Sequence, residues 1–112
     1  MPRGETHSEI SASELMALIA AGAAPTIIDV RSGREFQEGH VPGARLMPFW
    51  KLLTGSPKIP ASPKDLLVLY CGHGPRAYLA GAALRRRGFQ RVAYLRGHMA
   101  EWHRSGLPQE KV

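Results

Sequence analysis

Leu66-Leu67-Val68-Leu69-Tyr70-Cys71-Gly72-His73-Gly74-Pro75-Arg76-Ala77 joins two kinds of local structure through one turn. The apolar opening, residues 66–70, is rich in β-formers and has the length of a buried strand. The composition then changes to alanine, leucine and arginine, which predicts a helix over 75–87. Leu79, Ala80, Ala83 and Leu84 would form its inner face, and Gly88 is suited to end it. Pro75 fits the first helical turn, where a missing N–H costs little. Between strand and helix stands the only cysteine, in a turn with two glycines.

The same alternation extends outward. Ser11 or Ser13 can cap a helix whose apolar face is Leu15, Leu18 and Ile19, with Gly22 and Pro25 stopping it. Residues 26–30 are a β-branched run that reads as a second buried strand. A short helix over 34–37, a turn over 39–43, a short strand over 44–47 and a helical turn over 48–53 follow. Residues 54–63, rich in proline and serine, read as an irregular loop. Beyond the 75–87 helix come a strand over 92–95 and a last helix over 99–104, closed by Gly106 and Pro108. Strands alternating with helices predict an α/β fold, with a parallel sheet, right-handed crossovers and helices on both faces. In such sheets the ligand site lies beyond the carboxyl ends of the strands. Asp29 and Cys71 both fall at such ends and are expected to share one site.

Composition bounds the rest. A chain of 112 residues, 44% hydrophobic and 21% charged, is expected to form one domain over 1–112. No apolar stretch approaches the roughly 20 residues of a membrane span, and the N-terminus leads into a polar segment. A soluble cytoplasmic protein without a membrane partner is expected. One cysteine excludes an internal disulfide and a cysteine-rich metal site, so no metal is expected, and it suits a reducing compartment. The net charge of +6 raises nucleic-acid binding. The basic residues are dispersed, however, and the densest run, Arg85-Arg86-Arg87, complements a helix C-terminus. Few aromatics are available for base stacking. Nucleic acid is therefore not expected as a partner, whereas a small anionic substrate suits the positive field.

A lone cysteine is often just a small buried apolar residue. The context of Cys71 favours a nucleophile. Gly72 and Gly74 allow N–H groups to curl inward into an anion-binding nest, and the dipole of the following helix favours a thiolate. Arg76 can attract an anionic donor or lock the loop through Asp29 or Glu35; its planar fork favours the lock. His73 is expected as an exposed loop side chain that tunes the local field, and His40 as a brace of the 39–43 turn. Asp29 and Arg31 read as an internal ion pair and Trp102 as core. Phe49 and Trp50 stay open between core and pocket rim.

Three segments resemble the rhodanese-like sulfurtransferases in their single-domain form. Asp29-Val30-Arg31, followed by Glu35-Phe36 and Gly39-His40-Val41-Pro42-Gly43-Ala44, resembles the N-terminal signature. Tyr70-Cys71-Gly72-His73-Gly74-Pro75-Arg76 resembles the active-site loop. Leu95-Arg96-Gly97-His98-Met99-Ala100-Glu101-Trp102, with Gly106-Leu107-Pro108, resembles the C-terminal signature. The resemblance implies a central parallel sheet of about five strands and a persulfide carried on Cys71, with Gly72, His73, Gly74, Pro75 and Arg76 as the anion-binding loop. Asp29, Arg31, Glu35 and His40 would support it. Many members have a second glycine where this chain has His98, a departure that bears on loop geometry and not on the chemistry.

The implied reaction moves sulfane sulfur from thiosulfate or a similar anionic donor to a thiol or cyanide, with a sulfur-carrier protein as a further candidate partner. It needs no cofactor, since sulfur itself supplies the electrophile. Two other classes compete. A regulatory rhodanese-like module is disfavoured because Cys71 is retained. A cysteine-based phosphatase or arsenate reductase is disfavoured by loop length. Phosphatase loops hold one more residue between cysteine and arginine than Gly72, His73, Gly74 and Pro75, and the shorter ring suits a sulfur better than a phosphate.

Overall fold

The computed structural model describes residues 8–55 and 57–111; the polar opening over residues 1–7 lies outside them. Strands β1 (Ser8–Ile10), β2 (Thr26–Asp29), β3 (Arg45–Leu46), β4 (Leu66–Tyr70) and β5 (Arg91–Leu95) alternate with helices α1 (Ala12–Ala20), α2 (Gly33–Glu38), α3 (Phe49–Thr54), α4 (Pro75–Arg86) and α5 (His98–Arg104). The strands form one five-stranded sheet in the order β1-β5-β4-β2-β3, and every pairing is parallel. This is the α/β architecture expected from the alternation of strand and helix signals.

The sheet is covered on both faces because its strands carry apolar side chains on both. In β4, Leu67 and Leu69 point to one side with Ile28, Val92 and Tyr94, packing against Leu52 of α3 and Ala77, Ala80 and Leu84 of α4. Val68 and Tyr70 point to the other, with Ile27 and Leu95, against Leu15 of α1, Phe36 of α2 and Met99 and Trp102 of α5. This is the two-residue period of a strand. Each fully buried leucine contributes about 1.5–3 kcal/mol relative to an exposed one.

Local signals set the boundaries. Ser11 caps α1 and Ser32 caps α2, each in a reciprocal capping box, with Glu14 and Glu35 respectively. Gly88 follows the α4 cap with φ +100°, a value suited to glycine. Arg85 and Arg86 occupy the exposed last turn of α4, as expected.

Two expectations need correction. Leu79 was expected on the inner face of the helix but is 51% exposed; one face of α4 is filled instead by Ala77, Ala80, Gly81 and Leu84, and Leu79 is rotated out of it. Strand β1 was not foreseen, because Ser8 and Glu9 are polar and exposed and carry no apolar alternation. It is an edge strand held by backbone pairing to β5. No helix among the described residues is long and apolar enough to cross a membrane.

The topology fixes where a site can form. Strand β4 lies between β2 and β5, so the loops leaving the carboxyl ends of these three strands converge. Open parallel sheets bind ligands at such a crevice.

Candidate active site

Cys71 follows the last residue of β4 and precedes α4 by one short turn. Gly74, the N-cap of α4, adopts φ +134° and ψ −50°, a conformation open to glycine. That turn brings the Gly74 N–H onto Cys71 Sγ, N···S 2.9 Å. Burial pushes the thiol's pKa up, but hydrogen bonding from the His98 side chain and from the Ala77 and Gly74 N–H groups outweighs it, leaving the pKa lowered to about 7. The thiol thus has substantial thiolate character at neutral pH. Cys71 is 1% exposed. It borders the core on the α3 and α4 side, while its sulfur receives polar donors from the loop.

The loop residues divide by role. His73 and Pro75 are exposed, Gly74 is buried and Arg76 is half-buried. Arg76 faces Glu35 of α2 in a two-point pair, Nη1–Oε1 2.8 Å and Nη2–Oε2 3.1 Å. This is the lock anticipated for arginine, made with Glu35 and not with Asp29. The Arg76 hydrogen bonds hold the Glu35 carboxyl down at about 2. Gly72 departs from the expected nest. It is absent from the glycines with positive φ, and a Cβ there would stand 3.3 Å from Arg76 Nη2. Its lack of a side chain makes room for Arg76, and Gly74 alone of the two glycines makes the reversed turn.

Beneath the loop, β2 ends in Asp29, whose carboxylate is 0% exposed and accepts from Arg31 N–H, Nε and Nη2 at 2.8–3.1 Å. Arg31 Nη2 also donates to the Gly39 carbonyl at 2.8 Å, tying the end of β2 to the 39–43 turn. His40 braces that turn. Its Nδ1 lies 2.8 Å from the Phe36 carbonyl, and its ring stacks on Phe36 with centroids 3.6 Å apart. Its backbone pairs with Glu110. Asp29, Arg31 and His40 thus brace the end of β2 and the turn beside it. Trp102 is core, with Nε1 donating to the Pro108 carbonyl at 2.8 Å. Phe49 packs against the core, whereas Trp50 is 53% exposed. Among the described residues, no cluster of three or more His, Cys, Asp or Glu side chains is placed to hold a metal ion.

A thiol with a lowered pKa, at a helix N-terminus and within a loop clamped by an arginine–carboxylate pair, is equipped for nucleophilic exchange. The chain matches the rhodanese-like domain over residues 11–105. It belongs to the rhodanese-like domain family. A sulfurtransferase of Allochromatium vinosum is 34% identical over 102 residues, spanning 90% of this chain and 92% of that protein. The thiosulfate sulfurtransferase GlpE of Actinobacillus pleuropneumoniae is 30% identical over 109 residues, 95% of each chain. The human single-domain sulfurtransferase TSTD1 superposes with a TM-score of 0.74 at 28% identity, covering 88% of this chain and 97% of that one.

Two side chains of this rhodanese-like domain enter the site without having been singled out for it. His98 opens α5 and is 4% exposed. Its Nδ1 accepts the Cys71 backbone N–H at 3.2 Å. It is the one non-glycine residue with positive φ among the described residues, at +54°, a conformation costing of order 1 kcal/mol for such a residue. The loop thus makes a left-handed turn at a residue with a side chain, and that turn sets an imidazole against the Cys71 peptide. Tyr78, one turn into α4, stands edge-on to the His98 ring with centroids 5.8 Å apart. Helical spacing from Gly74 was the available signal for Tyr78. For His98 it was a histidine directly after a glycine, at the end of the strand that neighbours β4.

Proposed function

We propose that this rhodanese-like domain is a sulfurtransferase that moves sulfane sulfur from thiosulfate, or a similar anionic donor, to a thiol or cyanide through a persulfide on Cys71. The observation that carries this reading is the Gly74 N–H aimed at Sγ at 2.9 Å in a loop at the start of α4. Such a loop favours anionic sulfur through its backbone N–H groups.

In the first step the Cys71 thiolate attacks the outer sulfur of thiosulfate. An S–S bond forms to Cys71, the donor's own S–S bond breaks, and sulfite leaves with that bond's electron pair. The outer sulfur keeps its negative charge, so the loop holds an anion before and after. In the second step cyanide attacks that outer sulfur. A C–S bond forms, the Cys71 S–S bond breaks, thiocyanate leaves and the thiolate is restored. A thiol acceptor reacts in the same way. Neither step needs a redox or metal cofactor, and the two-step exchange predicts ping-pong kinetics.

The Arg76–Glu35 pair acts on this chemistry by holding the loop, because its charge is already matched. Asp29, Arg31 and His40 hold the elements on which the loop rests. A free thiol nucleophile suits a reducing compartment such as the cytoplasm. A protein acceptor, a sulfur carrier among them, is supported by the apolar side chains Trp50, Leu53 and Leu79 exposed on α3 and α4. The reading has a direct test. The protein is incubated with thiosulfate and its intact mass measured, then cyanide is added. One added sulfur atom, localised to Cys71 and released as thiocyanate, is the expected result. No mass gain over a range of donor concentrations overturns it.

A further inference from the structure

The imidazole of His98 is held from several sides. Nδ1 accepts the Cys71 N–H at 3.2 Å, which in the neutral ring leaves the proton on Nε2. The edge of Tyr78 closes one side. A Cβ built on Gly74 would lie 3.4 Å from Nε2, so the ring lies against the turn that carries the sulfur's N–H donor. The backbone is held too. Met99 N–H donates to the Cys71 carbonyl at 3.0 Å, and Ala100 N–H to the Gly72 carbonyl at 3.2 Å. The first turn of α5 is therefore fastened to the cysteine loop on either side of the ring. A histidine kept at positive φ, buried, and bonded to the nucleophile's own peptide is the kind of local strain that accompanies function.

We propose that His98 is a positioning residue for the sulfur exchange: its imidazole, anchored on the Cys71 N–H and lying against the Gly74 turn, makes with Cys71 a cysteine–histidine pair that fixes the nucleophile's peptide and, through the Gly74 N–H, the direction and anionic form of its sulfur. The inference rests on the sulfurtransferase reading and adds to it a side-chain device. The charged and titratable groups around the pair come from each packed element. They are Cys71 itself, Tyr78 on α4, Arg76 with its partner Glu35 on α2, and Glu101 further along α5. Burial raises the Tyr78 phenol, and its other causes act in the same direction. Arg76 and Glu35 neutralise each other, and Glu101 pairs with Arg104.

The test uses His98→Gly, which relieves the positive φ, and His98→Asn. Asparagine tolerates the left-handed region and offers an acceptor near the Nδ1 position without an ionisable ring. The rate of Cys71 alkylation by iodoacetamide is followed against pH by intact mass, and sulfur loading from thiosulfate is measured in single turnover. In His98→Gly the alkylation midpoint is expected to move up by at least one pH unit. The maximal loading rate should fall about tenfold with the half-saturating thiosulfate concentration unchanged. His98→Asn should recover part of the loading rate but leave the midpoint raised. A His98→Gly midpoint equal to the wild type overturns the inference, whatever happens to loading. Wild-type protein that alkylates with a midpoint near 7, shifts in the variant, yet takes no sulfur from any donor overturns the sulfurtransferase reading and leaves the cysteine–histidine pair standing. Equal, proportionate losses in both variants with unshifted midpoints would assign His98 to packing alone.

Discussion

The Arg76 guanidinium meets the Glu35 carboxylate fork to fork, at 2.8 and 3.1 Å, and so joins the cysteine loop to α2 across 41 positions of sequence. The same carboxylate closes the capping box of α2, accepting from Ser32 N–H at 3.0 Å. One side chain thus starts a helix and clamps the loop.

This dual use gives a pH signature. Folding lowers the Glu35 pKa from an ordinary 4.5 to about 2, chiefly through the Arg76 hydrogen bonds. A depressed acid stabilises the fold above its unfolded pKa and loses that stabilisation as pH falls through the folded value. Glu35→Gln keeps an acceptor for Ser32 and removes the charge. The stability difference between wild type and Glu35→Gln should be constant above pH 5, narrow below about 4.5 and be largely gone near 2. Both partners are about a third exposed, so solvent screening holds the difference to about 1 kcal/mol or less. Urea melts across this range measure it; a gap independent of pH would count against the charged pair.

The Cys71 thiol, lowered to about 7, should alkylate at a rate that rises through neutrality and levels off above about pH 8. Because the side chain is 1% exposed, the same experiment reports access through the loop. Iodoacetamide should label the native protein within minutes, well before global unfolding exposes the thiol. Labelling that tracks unfolding alone would show a sealed thiol and remove the basis for catalysis. Cys71→Ser should lose sulfur loading completely while its Tm stays within a few degrees of wild type, since an oxygen of similar size keeps the Gly74 contact. Turnover by the serine variant would show that another group carries the sulfur.

The architecture was legible because β4 and β2 are apolar on both faces, and only a covered parallel sheet uses such strands. The glycine–proline turn at 72–75 marked the strand-to-helix switch, and with it the nucleophile. The arginine lock was readable as chemistry; its partner was narrowed to two carboxylates, and the choice of Glu35 depended on how α2 lies over the loop. His98 escaped because its place beside Cys71 depends on β5 and β4 being neighbours, a relation between residues 27 positions apart. Leu79 stands at the margin of the weak apolar stripe of an alanine-rich helix, where spacing alone does not fix which way a leucine faces. Strand β1 left little trace, since two of its three residues are polar and exposed, Ile10 alone packs on the core, and the backbone pairs it to β5.

The Asp29–Arg31 pair is fully enclosed, with side chains 0% and 6% exposed. Burial lowers the Arg31 pKa, and the Asp29 hydrogen bonds and charge more than reverse this. Asp29→Asn keeps the shape and strands a buried guanidinium. Breaking such a pair on one side costs about 3–5 kcal/mol. The variant should fall by that amount in chemical denaturation, and replacing both partners by apolar residues should recover much of the loss. A change in Asp29→Asn below about 1 kcal/mol would mean that water reaches the pair.

The last prediction concerns Gly81, in the middle of α4, where glycine ordinarily weakens a helix by about 1 kcal/mol relative to alanine. On propensity alone, Gly81→Ala should stabilise the protein. The structure argues for the opposite sign. A Cβ at this position would overlap the Tyr94 hydroxyl, with the ring carbons Cζ and Cε1 close behind it at 2.9 and 3.1 Å. Tyr94 cannot retreat, because it is 0% exposed on β5, one sheet layer below the helix, and Tyr78 packs edge-on against its ring at 4.7 Å. The missing side chain lets α4 approach the sheet closely enough to set the cysteine loop at its N-terminus over the ends of β4 and β2. Overpacking of this kind costs about 1–3 kcal/mol, which exceeds the propensity gain. Gly81→Ala should therefore lower the Tm by on the order of 5–10 °C, and it should slow sulfur loading by tilting α4. Gly81→Ala combined with Tyr94→Phe, which removes the overlapping oxygen, should regain part of the lost stability. A single variant more stable than wild type would show that helix and sheet part without cost, and the close approach would lose its assigned role.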